Sequence, residues 1–200
     1  VCDGCRIVAL FAQVAACLVG EREFAKLFAR WEPVRFRQAC ADIHAYAERR
    51  SNGQWFPASL SGLVTGDDHP AKLLDGQNYT LFGWLADVRN YAKVPPLSLA
   101  RGLPADVSEE IAHLADNARE RGHGRFSWLG LRELVAFDYE ATFENRRTGN
   151  GGSQYGDTYP VGMGEVVTYR EAFGQWFFDD IDKLKALGDI DDVRMVFWFD

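Results

Sequence analysis

The segment ADIHAYAERR (41–50) carries two acids, a histidine and a tyrosine at alternating positions. In an extended chain, alternate side chains point to opposite faces. Ile43, Ala45 and Ala47 therefore share a face suited to a core, and Asp42, His44, Tyr46 and Glu48 share the other. Residues two apart on a strand lie about 7 Å apart at Cα, so Asp42 and His44 form a candidate metal pair. His44, Glu48 and Asp42 also form a candidate catalytic set, with His44 as base or ligand and the carboxylates beside it. The same pattern equally suits a wet strand face, with Glu48 in an ion pair to Arg50 or Arg194.

Three further positions could bind a ligand. Arg89-Asn90 closes a helical stretch, and Arg101 precedes Gly-Leu-Pro on an extended one. Two guanidinium groups near an acidic strand can hold a phosphate or carboxylate by paired hydrogen bonds. The competing readings are a favourable charge at a helix C-terminus for Arg89 and an ion pair with Asp106 for Arg101. His123 stands between two glycines in GHG, as either an exposed loop residue or the second imidazole of a metal or acid–base pair with His44. The chain has no G-x-x-x-x-G-K-[ST] loop, no G-x-S-x-G elbow and no H-E-x-x-H pair. No cofactor is specified by these residues.

The elements that must position these groups read as follows. Residues 5 to 31 form a helix, with Phe24, Leu27, Phe28 and Trp31 on one stripe. The strand 42–49 follows, then a Ser51-Asn52-Gly53 turn and a hairpin partner in QWFPA. Residues 61 to 78 read as loop. A helix spans 79–90, capped by Asn78 or Thr80. A second starts at an Asp106/Glu109 capping box and runs to about Arg121, and Ser127 caps a third through Phe137. Residues 137–147 alternate like a strand, and 148–164 form a long Gly-rich flap. Thr168–Glu171 is a capping box opening a helix to Gly188, with Phe173, Trp176, Phe177, Ile181 and Leu184 as its stripe. VRMVFWFD (193–200) is apolar at nearly every position, as a central strand buried on both faces would be. This order predicts an α+β fold: one mixed-sheet domain over 39–200, a long C-terminal helix packed on the sheet, and a dispensable helical extension over 1–38.

Composition narrows the function classes. A net charge of −7, with no basic block, argues against nucleic acid as a partner. Four cysteines, at 2, 5, 17 and 40, leave the remaining 160 residues with none, so a reducing, cytoplasmic setting is expected. Cys2 and Cys5 have no second ligand pair. No apolar run reaches 18 residues, so no membrane span is expected. The stretch 6–20 reads as a packed helix rather than a secretion segment.

Five segments occur in an order that carries a resemblance: ADIHAYAERR, NYTLFGWLADVRN, RGLPADVS, GHGRFSWLGLREL and DDVRMVFWFD. From about residue 41 onward the chain resembles an uncharacterised family encoded by bacteriophages and bacterial genomes. That family has Cys before the Asp where Ala41 stands, often Arg where Gln77 stands, and a His-rich stretch reduced here to His123. The resemblance implies kinship and no particular chemistry. The expectation is a phage-type protein with a polar ligand site on its first strand, binding or acting on a small anionic or nucleotide-like molecule. The alternative is a non-enzymatic protein that sequesters a small-molecule ligand or blocks a host protein; enzyme or binder stays open.

Overall fold

The strand Val193–Phe199 (β7) is buried at every position, as its nearly continuous apolar run implied. In the computed structural model, which describes residues 41–58, 72–148 and 158–200, it lies between β1 (Ile43–Ser51) and β4 (Gly124–Gly130). The sheet order is β2-β1-β7-β4, with β2 (Gln54–Pro57) at the edge. β3 (Lys72–Leu73) pairs with β1 at Tyr46 and Ala45 and continues that edge. Every ladder is antiparallel. The β1–β2 hairpin turns at Asn52 and Gly53, whose φ values of 50° and 79° suit the mirror-image turn that right-twisted strands prefer. The helix expected over 5–31, the extension 1–38, its cysteines and most of the Gly-rich flap lie outside the described residues.

The alternation in β1 divides the sheet into two chemically different faces. Ile43, Ala45 and Ala47 join Val193, Met195, Phe197 and Phe199 in the larger core. That core is closed by α1 (Tyr79–Ala86), α3 (Leu131–Ala136), α4 (Tyr169–Phe173) and α5 (Gln175–Lys185). Trp84, Phe173 and Phe177 are among its largest side chains and are fully buried, each contributing about 2–3 kcal/mol through removal from water. The opposite face carries His44, Tyr46 and Glu48, and α2 (Glu109–Glu120) covers it with Ile111, Ala115 and Ala118 against Val196 and Trp198. The polar side of β1 is thus roofed by a helix along most of its length.

Several boundaries differ from the sequence reading, each for a local reason. α1 stops at Ala86 rather than Asn90 because Asp87 turns left-handed, at φ 56°, and its N–H caps Gly83 and Phe82. Asn78, not Thr80, supplies the N-cap oxygen. Asp106 does not cap α2: its carboxylate is taken by Arg194 and Trp55, and Ser108 is the N-cap residue. Ser127 caps no helix either. It is buried in β4, where its hydroxyl accepts the Arg101 N–H. The 168–187 helix keeps its Thr168/Glu171 capping box but breaks at Gly174, whose φ of 80° divides it into α4 and α5. Residues 142–145 form β5 (Thr142–Asn145), which pairs only with β6 (Glu165–Thr168) in a separate ladder. Among the described residues no helix is long and apolar enough to cross a membrane.

Candidate functional site

His44 projects from the polar face of β1 near its first residue, opposite Trp198 of β7. Trp198 stacks on it at 6.1 Å between ring centroids and 16° between planes. Tyr46 and Phe126 pack on Trp198 in turn, so the imidazole stands against an aromatic wall. Its side chain keeps 26% exposure, because α2 ends before covering it.

The end of α2 delivers the second imidazole. Gly122 takes a φ of 85°. Its N–H reaches the Arg119 carbonyl, and the His123 N–H reaches the Ala118 carbonyl at 3.0 Å. This double closure is the Schellman stop, which needs a residue free to enter the left-handed region. It fixes His123 one residue past that stop and one before β4. The His44 and His123 rings then lie 5.0 Å apart.

The third group is Asp200, directly after β7. Its Oδ1 accepts the Asp42 backbone N–H at 2.6 Å, while Oδ2 sits 3.8 Å from His44 Nε2. One oxygen is therefore anchored and the other is turned toward the imidazole. One donor atom each from His44, His123 and Asp200 lies within 4.8 Å of the other two. His44 Nε2 and His123 Nδ1 are both buried and have no hydrogen-bond partner among the described residues. Buried polar atoms rarely stay unpartnered. Trp198 Nε1, in the ring stacked on His44, is unpartnered as well.

Electrostatics keep His44 in the form that binds metals. Burial lowers its pKa first, and Lys72 and His123 lower it further, against the opposing pull of Asp200 and Asp42. Lys72 reaches this neighbourhood because β3 pairs it with Tyr46. A neutral imidazole leaves a ring nitrogen free as a ligand.

The structure separates the other sequence-derived candidates from this cluster. Asp42 carries no ligand atom in it: its carboxylate accepts from Gln77 at 2.6 Å, and its contribution is the amide that orients Asp200. Glu48 is 0% exposed, lying under α2 rather than on a wet face. It accepts from Arg194 Nε and from the Ser108 N–H, both at 2.7 Å. Arg101 spends both terminal guanidinium nitrogens on Glu133, at 2.9 and 2.6 Å. Asn90 braces the turn after α1, bonding Asp87 and the Val94 backbone. Arg89 has no carboxylate partner among the described residues and lies over the Tyr79 ring. Asp200 was missed by the sequence reading. The available signal was the pairing of β1 with β7, which sets the residues flanking the two strands side by side.

Searches of the chain against protein-family models, curated proteins and solved structures find no match.

Proposed function

We propose that His44, His123 and Asp200 bind a divalent transition-metal ion, with zinc as the natural first probe, and that this centre acts on a small anionic molecule. The observation that carries the reading is that one donor atom each from His44, His123 and Asp200 lies within 4.8 Å of the other two, where each imidazole also has a buried nitrogen without a partner among the described residues. Two imidazoles and a carboxylate are a donor set suited to zinc or iron, and three protein ligands leave a position open for water or substrate. Tetrahedral zinc, with bonds of about 2.0–2.1 Å, asks for donor atoms about 3.3 Å apart. Metal binding would have to draw the three donors together from the present spacing, within 4.8 Å, by rotation of the side chains. A bound ion would lower the pKa of its water and supply a hydroxide near neutral pH.

The chain's own residues account for the rest of the proposed work. Asp42 N–H holds Asp200 so that one carboxylate oxygen stays free for the ion. Trp198, Tyr46 and Phe126 form a wall that limits water on one side. Lys72, close enough to depress the His44 pKa, is the cation that would hold a substrate's negative charge.

The test is metal analysis of tag-free protein together with thermal melts in added zinc or manganese. A ligand at a hundredfold excess over its Kd stabilises the fold by about 2.7 kcal/mol. We expect a saturable rise in Tm with one equivalent of metal, lost in His44→Ala and His123→Ala. No bound metal and no shift in Tm would overturn the reading.

A further inference from the structure

The turn after α1 is held in an uncommon backbone conformation. Asp87, Arg89 and Lys93 all have positive φ, at 56°, 44° and 57°. Non-glycine residues rarely enter that region, and they stay there only when the surroundings hold them. Here the holder is Asn90. Its side-chain amide donates to Asp87 Oδ1 and to the Val94 carbonyl, both at 2.8 Å, and its oxygen accepts the Val94 N–H at 2.9 Å. Asn90 also fills the space above Gly83, where an added Cβ would meet its Oδ1 at 2.6 Å. The strained turn is thus clamped from below.

What the clamp presents is Arg89. Its guanidinium lies 5.8 Å from the centre of the Tyr79 ring and donates to the Tyr91 hydroxyl at 3.3 Å. A second guanidinium, that of Arg147, lies 5.6 Å from the same ring centre. Tyr91 packs edge-on against Tyr79 at 5.9 Å. Both arginines are half-buried, and neither has a carboxylate partner among the described residues. Arg50, Arg101, Arg119, Arg132, Arg170 and Arg194 all do have one. Arg49, Arg121 and Arg125 have none and are exposed to water instead, and half-buried Arg146 has none but donates to the Tyr159 carbonyl. In a chain of net charge −7, two half-buried cations beside one ring have no carboxylate counter-charge among the described residues.

We infer that Arg89 and Arg147, walled by Tyr79 and Tyr91, form a binding site for a phosphoryl group, separate from the His44–His123–Asp200 cluster. A guanidinium offers paired N–H donors whose spacing matches phosphate oxygens, and the two positive charges match a phosphoryl dianion, where a carboxylate ligand would offset only one of them. The tyrosine faces add area for an organic group attached to that phosphate. Asn90 is a positioning residue: it touches no ligand but holds the backbone that aims Arg89. This inference does not depend on a metal at the other site.

Inorganic pyrophosphate at low salt is the probe, with calorimetry as the measurement. The expected result is one binding event per chain, weakened about tenfold in Arg89→Gln and again in Arg147→Gln, as loss of a charge-assisted pair implies. Asn90→Ala should weaken it through Arg89 alone, so that Asn90→Ala adds little on top of Arg89→Gln. Arg121→Gln, an exposed arginine elsewhere, should bind as the parent chain does. Should Arg89→Gln fail to fold, Arg147→Gln, outside the strained turn, carries the test alone. No binding at millimolar pyrophosphate, unchanged affinity in Arg147→Gln, or an equal loss in Arg121→Gln would each overturn the proposal.

Discussion

Glu48 and Arg194 face each other across β1 and β7, at 0% and 3% exposure, with the carboxylate divided between two donors. Oε2 accepts Arg194 Nε and Oε1 accepts the first backbone N–H before α2, that of Ser108. Arg194 completes its bonds on Asp106, and lies 3.9 Å from the Trp55 ring centre. The pair therefore ties the hairpin, the central strand and the start of α2 together.

Glu48→Gln should lower stability by about 3 kcal/mol in chemical denaturation. Glutamine keeps one acceptor where two donors need one each, so an amide NH2 must oppose either Arg194 or Ser108. Removing one member of a buried ion pair typically costs about 3–5 kcal/mol, and the remaining Asp106 contact moderates this. A change within about 0.5 kcal/mol, the usual range for exposed strand residues, would contradict the buried geometry.

The split between Glu48 and His44 also shows what the sequence could and could not tell. Period-two alternation sorted the faces of β1 correctly, and the apolar run of β7 marked it as central. The type of residue on the polar face said nothing of whether a helix lies over it. That is decided by α2, whose cover reaches Glu48 and stops short of His44. His123 was legible as a candidate from GHG, and His44 as its partner, though not the distance between them, because that depends on where the Schellman stop ends α2. Asp200 and Arg147 were not legible as site residues, since each gains its neighbours only through pairing of segments distant in sequence. Ser127 misled for a related reason: a good capping residue was claimed by a strand that buries it.

Gly122→Ala should separate placement of His123 from its chemistry. An alanine at φ 85° costs about 1–2 kcal/mol, so a modest fall in Tm is expected in metal-free protein. The stabilisation gained on adding zinc should fall by more than this, because relaxing the stop moves the imidazole. If zinc stabilises Gly122→Ala as fully as the parent, His123 is not held by this turn.

The Arg101–Glu133 pair should give a pH-dependent contribution of known sign. Hydrogen bonds from Arg101 hold the Glu133 carboxyl below its ordinary range, with a further bond from the Gly130 N–H. Its stabilisation is present above the unfolded value of about 4.3 and is lost as pH falls through the lower folded value. With side-chain exposures of 29% and 38%, solvent screening limits the pair to about 0.5–1 kcal/mol. The stability difference between the parent chain and Glu133→Gln should therefore shrink toward zero between about pH 7 and pH 3. A difference that grows on acidification would show that the pair destabilises the folded state.

Asp42 and Asp200 provide the sharpest comparison, because sequence spacing favours the first as a metal ligand and geometry favours the second. Asp42 touches Gln77 through its side chain, and orients Asp200 only through its backbone N–H. Asp42→Asn keeps that N–H, so zinc affinity should change by no more than about threefold, the effect of one nearby charge in water. Asp200→Asn replaces the carboxylate oxygen turned toward His44 by a weaker, neutral donor. Its loss should exceed the roughly 10–100-fold that removal of a merely supporting partner costs. The readout is a zinc titration of each variant by competition with a chelator, with far-ultraviolet circular dichroism to show that both remain folded. Equal losses in the two variants would mean that charge at this end of the sheet, rather than ligation by Asp200, holds the ion. A larger loss in Asp42→Asn would return the carboxylate role to the residue that strand spacing singled out, and Asp200 would then be a capping group for the first strand.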